Sequence, residues 1–136
     1  MAELFFVGTE PEKLSDTSRP PDWREREQAL DITQSWIVEA PAGSGKTGLL
    51  IQRYLKLLGD TSVEQPEQIL AITFTVKATG EIRERILAQL EAAAQNAPLK
   101  DDTDFERQTR ALALAVLERD RALNWHLLER PRRLKI

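Results

Sequence analysis

Eight consecutive residues, Ala40-Pro41-Ala42-Gly43-Ser44-Gly45-Lys46-Thr47, have the composition of a loop that wraps a phosphate group. The run closes on Gly-Lys-Thr, with alanine at the position where a first glycine is usual. Gly43 and Gly45 free the backbone to turn tightly, so that successive N–H groups converge on phosphate oxygens. A helix leaving the loop directs the positive end of its dipole at the same point. In such a loop the ammonium of Lys46 reaches the β- and γ-phosphates, and the Thr47 hydroxyl is a ligand for Mg²⁺. Residues 40–47 are therefore the expected nucleotide-binding residues. Lys46 and Thr47 are the expected catalytic pair, and Mg²⁺ is the expected metal, on Thr47. The competing reading, a glycine-rich turn that happens to contain Lys-Thr, is opposed by the flanks. Ser35-Trp36-Ile37-Val38-Glu39 before the loop is a short β-branched and aromatic run, expected as a strand. After the loop, Leu49, Leu50, Tyr54, Leu57 and Leu58 recur at helical spacing, so a helix is expected from near Gly45 to Gly59.

A second run with chemical content follows an apolar segment, Gln68-Ile69-Leu70-Ala71-Ile72-Thr73-Phe74, which is expected as a buried strand of a parallel sheet covered on both faces. It continues as Thr75-Val76-Lys77-Ala78-Thr79-Gly80-Glu81-Ile82-Arg83-Glu84-Arg85-Ile86. Taken with residues 39–47, this stretch resembles the UvrD/Rep-type superfamily 1 DNA helicases, and more closely the RecB/AddA-like helicase–exonuclease branch. In that family the phosphate loop often begins with Ala, which accounts for Ala40. Residues 73–86 are similar to the family's motif Ia, usually TFTxKAAxEMxxRI. The resemblance implies ATP as the nucleotide and contact with single-stranded DNA. Phe74 matches a base-stacking aromatic, and Thr73, Thr75 and Lys77 would lie along the phosphates. Such contacts suit a site that grips any sequence, because every base has a π-face and every nucleotide a phosphate. The open alternatives are Phe74 as core at a strand end and Lys77 as a solvated helix start. Arg83 and Arg85 are expected on a solvated face near Glu81.

The chain departs from the family pattern at Val76, Thr79 and Gly80, and an early helical glycine weakens a helix by about 1 kcal/mol. The family's adenine-reading Gln falls on Arg26 when Ala29-Leu30 is aligned with the family's Ala-Val pair, with Gln28 two residues out of register. Arg26 could stack on a base; the alternative for both is exposed helix surface. No apolar strand run ends in an acidic pair, so the Walker B residue that hydrolysis needs is missing. An arginine finger and a nuclease carboxylate cluster are missing as well. The expectation is a chain that binds nucleotide weakly and turns it over negligibly, within a parent that is an ATP-driven DNA helicase or translocase with partner helicase or nuclease subunits. The readings from other classes are a P-loop kinase of small molecules or nucleotides and a noncatalytic nucleotide-binding module.

The elements that must position these residues follow from pattern. Residues 1–21, rich in Gly, Pro, Ser, Thr and Asp after Leu4-Phe5-Phe6-Val7, are expected as an irregular arm. Asp22 and Glu25 resemble a capping box opening a helix to about Ile32. Ile82, Ile86 and Leu90 stack on one face of a helix that runs out at Ala92-Ala93-Ala94. Thr103 and Glu106 form a second capping box, opening a helix through Leu112, Val116 and Leu117. A short helix around Trp125, Leu127 and Leu128 is expected to stop at Pro131, and Arg132 to Ile136 reads as the start of a third strand. The fold class expected is α/β: a P-loop NTPase (RecA-like) three-layer αβα arrangement with a short, incomplete parallel sheet. Residues 22–136 would form the first part of a helicase motor domain. A chain stopping at a strand start is expected to be a piece of a longer protein, with an open sheet edge that invites a truncation-driven dimer.

Composition fits that expectation. The 136 residues carry 19 Lys and Arg against 22 Asp and Glu, a net charge of −3, which argues against a protein that coats nucleic acid with a basic surface. There is no cysteine for a disulfide or thiolate site, and the single histidine, His126, cannot build a zinc site alone. No apolar run reaches the ~18 residues of a membrane helix, and the N-terminus has no basic run before an apolar one. The expected location is the cytoplasm.

Overall fold

The computed structural model describes residues 21–39 and 45–136. Four α-helices occur among them: α1 (Trp23–Ala29), α2 (Lys46–Leu58), α3 (Val76–Ala94) and α4 (Asp104–Leu123). Short 3₁₀ turns lie at Pro66–Gln68 and Pro131–Arg133. The expected arm at residues 1–21 and the loop at Ala40 to Ser44 lie outside the described residues, apart from Pro21.

Helix α1 ends at Ala29, short of the expected Ile32. The Asp31 carboxylate there accepts from the Thr33 N–H at 3.0 Å and the Thr33 hydroxyl at 2.6 Å, and this local turn competes with another helical turn. Nor does the Asp22 carboxylate cap the helix; it accepts from Arg26 Nε at 2.9 Å. Helix α3 starts where Thr75 Oγ1 accepts from the Ala78 N–H at 3.0 Å. It stops in a Schellman arrangement, with Asn96 left-handed and the Ala97 N–H bonded to the Ala92 carbonyl at 2.9 Å. At the start of α4, Thr103 Oγ1 accepts from the Glu106 N–H at 3.2 Å, as the sequence signature requires. Glu106 does not complete the box, because its carboxylate accepts from the Asp101 N–H at 2.7 Å.

Helices α2, α3 and α4 pack against one another. Leu55 and Leu58 of α2, Ile86 and Leu90 of α3, and Ala113 and Val116 of α4 are fully buried in one cluster. Trp125 and Leu127 join that core, but not from the expected helix. Asn124 and His126 both have positive φ, so the chain turns twice while sending the side chains of Trp125 and Leu127 inward. Trp125 Nε1 donates to the Glu64 carbonyl at 2.9 Å, and Arg119 lies 5.8 Å from its ring centroid. Arg119 also donates to the carbonyl of Val63. A smaller cluster of Ala29, Leu30 and Leu49, with Val38 against it, joins the end of α1 and the segment before the phosphate loop to the start of α2.

The expected parallel sheet is present among the described residues only as a single parallel bridge, Leu70 to Lys135, with the Ala71 N–H bonded to the Lys135 carbonyl at 3.0 Å. Residues 35–39 and 68–74 are not assigned as strands there. One ladder step is too little to define a strand, and the burial pattern shows the same incompleteness. Ile69 and Ala71 are covered, whereas Leu70 is 60% and Ile72 66% exposed. The apolar run is therefore covered on one face among the described residues, not on two as expected. Tyr54 joins α2 to the C-terminal segment through its hydroxyl, 3.4 Å from the Lys135 carbonyl, and burial pushes its pKa up to about 12.

Arg133 ties three distant segments together. Its guanidinium donates to Glu67 at 2.7 and 3.1 Å, to Gln65 Oε1 at 2.6 Å and to the Trp125 carbonyl at 3.0 Å. The bonds from Arg133 hold the Glu67 carboxyl below the usual glutamate range. A carboxyl whose folded-state pKa is depressed contributes stability that is full above its unfolded pKa and is lost as pH falls through the folded value. Glu67→Gln should therefore lower the urea midpoint at about pH 6, and the gap to the parent chain should narrow at about pH 3. Leu90→Ala should cost about 2–5 kcal/mol in the same urea unfolding measurement at neutral pH, because the methyl groups leave a cavity between packed helices.

Candidate nucleotide and nucleic-acid site

Helix α2 opens at Gly45, whose φ of 87° lies in the left-handed region where only glycine is comfortable. Lys46 and Thr47 form the first turn and are exposed, with no acidic residue in that turn to neutralise the helix end. Immediately after them, the same helix is buried at Gly48 and Leu49, so the chain passes from solvent to core within one turn. Gly48 sits at a close approach: a Cβ there would lie 2.8 Å from Cζ of Phe105 in the first turn of α4, so the ring would have to shift to admit one. Gly48 is not among the residues singled out from sequence. Its signal was a glycine inside a helix, which costs about 1 kcal/mol unless something needs the space.

Arg26 is brought to this point. Its guanidinium lies 3.2 Å from where a Cβ of Gly45 would stand, and Nη1 donates to the Gly45 carbonyl at 3.4 Å. The Asp22 carboxylate holds the other edge of the group. Gln28, the out-of-register alternative, is exposed. Beside Arg26 a cleft of about 300 Å³ is lined by Trp23, Glu27, Gln52, Phe105 and Gln108. Gln52, buried on α2, donates to Thr109 Oγ1 at 3.0 Å and thereby fixes α4 beside the cleft. Ala40, Pro41, Ala42, Gly43 and Ser44 lie outside the described residues. Among the described residues no cluster of three or more His, Cys, Asp or Glu could hold a metal. The oxygen donor that the loop pattern offers Mg²⁺ is Thr47, and its exposed place at an uncapped helix start is compatible with that role.

The second motif is placed differently. Phe74 is fully exposed in this chain, at the end of the run that also exposes Leu70 and Ile72. Lys77 is 86% exposed and 4.0 Å from Glu81, a contact that leaves its ammonium in water. Thr73 and Thr75 are tied into the helix start. Thr75 Oγ1 caps α3, and the Thr73 and Thr79 hydroxyls lie 2.5 Å apart, each 3.1 Å from the Thr75 carbonyl. Thr79, a departure from the usual alanine, thus closes a hydroxyl network that sets the turn carrying Phe74. A Cβ on Gly80 would meet nothing within 4 Å, so no contact demands glycine there.

The family model described as the UvrD/REP helicase N-terminal domain matches residues 23–120. An ATP-dependent helicase/nuclease subunit from Desulfitobacterium hafniense is 37% identical over 94 residues, covering 68% of this chain and 7% of that protein. A protein of the same name from Streptococcus pyogenes is 36% identical over 98 residues, 71% of this chain and 7% of that one. The RecBCD enzyme subunit RecB of Chlamydia trachomatis is 42% identical over 62 residues, 46% of this chain and 6% of the relative. The chain thus spans less than a tenth of the length of these relatives. No solved structure matches it. With a family match that runs from the first residue of α1 into α4 and takes in both motifs, the chain belongs to the UvrD/REP helicase N-terminal domain family.

Proposed function

We propose that this chain is the nucleotide-binding opening part of the motor domain of an ATP-dependent DNA helicase of the helicase–nuclease kind. The observation that carries the reading is the exposed Lys46–Thr47 turn opening α2 behind a left-handed Gly45. Family membership supports ATP and DNA as the ligands. Residues 40–45 would wrap the phosphates with backbone N–H groups, Lys46 would neutralise the β- and γ-oxygens, and Thr47 would hold Mg²⁺. In the parent motor, Mg-ATP held by these residues would supply the free energy of phosphoryl transfer to water. Arg26 lies against Gly45 at the same point, where its planar group could stack on the base. Phe74 would stack a base of single-stranded DNA, with Lys77 and the Thr73–Thr75 turn beside the phosphates. The complete fold would be the P-loop αβα arrangement, its sheet extended by other parts of the parent motor over Leu70 and Ile72. Partner helicase or nuclease subunits and a cytoplasmic setting belong to the same proposal. No helix among the described residues is long and apolar enough to cross a membrane.

The acidic residue that would complete the Mg²⁺ site for hydrolysis is not found in this sequence, so the chain should bind Mg-ATP without appreciable turnover. Titration with a fluorescent ATP analogue should saturate, and Lys46→Ala should weaken it at least about tenfold, the loss of roughly one charge-assisted hydrogen bond. Gly45→Ala should weaken it too, since an L-residue in the left-handed region costs about 1–2 kcal/mol. Steady ATP hydrolysis that disappears in Lys46→Ala would overturn the predicted inactivity. In the full-length parent, Phe74→Ala should cost about tenfold in single-strand affinity, within the ~1–3 kcal/mol of one stacked base. Unchanged affinity would remove Phe74 from the DNA path.

A further inference from the structure

Arg53 lies on α2, about two helical turns beyond Lys46, and is 4% exposed. Its Nη1 donates to the carbonyls of Ala29 at 2.7 Å and Asp31 at 3.1 Å, and its Nη2 to the carbonyl of Gln34 at 3.1 Å. Its Nε is buried with no partner. Among the described residues no carboxylate lies within ion-pair distance of it; the nearby Asp31 carboxylate is engaged by Thr33. A cation buried against neutral carbonyls alone, with one N–H unmatched, is a poor device for stability. Burial accordingly lowers its pKa, only partly opposed by Asp31. An apolar side chain would fill the same space at lower cost.

What the guanidinium does that an apolar group cannot is fix direction. The three carbonyls belong to one stretch, residues 29–34, that joins the helix bearing Arg26 to the segment entering the phosphate loop. Arg53 itself belongs to the helix leaving that loop. The cluster of Leu30 and Leu49, with Val38 against it, also joins these two arms, but apolar contacts tolerate sliding. A planar fork meeting three carbonyls does not. Trp36 adds a bond from the inbound arm to the same turn, its Nε1 donating to the Asp31 carbonyl at 3.0 Å.

We infer that Arg53 is a positioning residue for nucleotide binding. It sets the inbound arm of the phosphate loop against α2, so that Arg26 and Lys46 face one ligand. The inference rests on the reading of Lys46 and Thr47 given above. The experiment uses this chain with a fluorescent ATP analogue and Mg²⁺, together with hydrogen exchange followed by mass spectrometry. Arg53→Lys keeps the charge and the stem but cannot span three carbonyls. It should lose about tenfold in affinity and exchange faster at residues 30–33, whose Leu30, Asp31 and Thr33 N–H groups are hydrogen-bonded. Ile86→Val, in the core between α3 and α4, also lowers stability and is the control; it should bind as the parent chain does, with unchanged exchange at residues 30–33. Arg53→Lys binding within twofold of the parent chain, or Ile86→Val losing as much as Arg53→Lys, overturns the inference alone. A parent chain that does not bind, or a Lys46→Ala chain that binds equally well, overturns the reading of the loop and the inference with it.

Discussion

Helix α2 has to serve two environments along one axis. Its far end, Leu55 and Leu58, is sealed inside the cluster formed with α3 and α4, while its first turn, Lys46 and Thr47, stays in water behind Gly45. A helix that began one turn deeper would bury the lysine without a partner, and one that began later would lose the N–H groups that an anion needs. The left-handed Gly45 sets that boundary, and Gly48 lets α4 close against the helix immediately behind it. The position of the candidate site is thus a consequence of how α2 is buried.

The buried polar groups around α2 are directional where the core is not. Arg53 gathers three carbonyls, and Gln52 bonds to Thr109 on α4. Farther from the site, Trp125, Arg119 and Arg133 fasten the loops at residues 61–67 to the end of α4 and to the C-terminal segment. Apolar packing brings these segments close; hydrogen bonds to specific carbonyls choose the register in which they sit.

The motif at residues 73–79 shows how one short stretch can order a helix start while leaving an aromatic ring and an ammonium in solvent. The threonine hydroxyls are turned to capping and to one another, and this fixes the turn from which Phe74 projects. An exposed aromatic on a flexible turn would lose entropy on stacking; on a turn held by hydrogen bonds it loses less. The threonines thus support Phe74 from the helix start, while Lys77 remains in water.

The sequence by itself determined the elements whose signal is local. Helices α2, α3 and α4 and the Thr103 cap were legible because apolar spacing and capping hydroxyls act over a few residues. The family was legible because two motifs stand in order on one chain. The tertiary structure alone decided what depends on distant partners. It ended α1 at Ala29, turned the expected helix near Trp125 into two left-handed turns, and limited the described sheet to one bridge. It also exposed Phe74 and set Arg26 on Gly45. Arg53 was invisible beforehand for the same reason: nothing in its neighbours on α2 says that its guanidinium will meet the carbonyls of residues 29, 31 and 34. Hydrogen bonds between segments far apart in sequence leave no periodic trace, and only the packed chain reveals which carbonyls a buried arginine will hold.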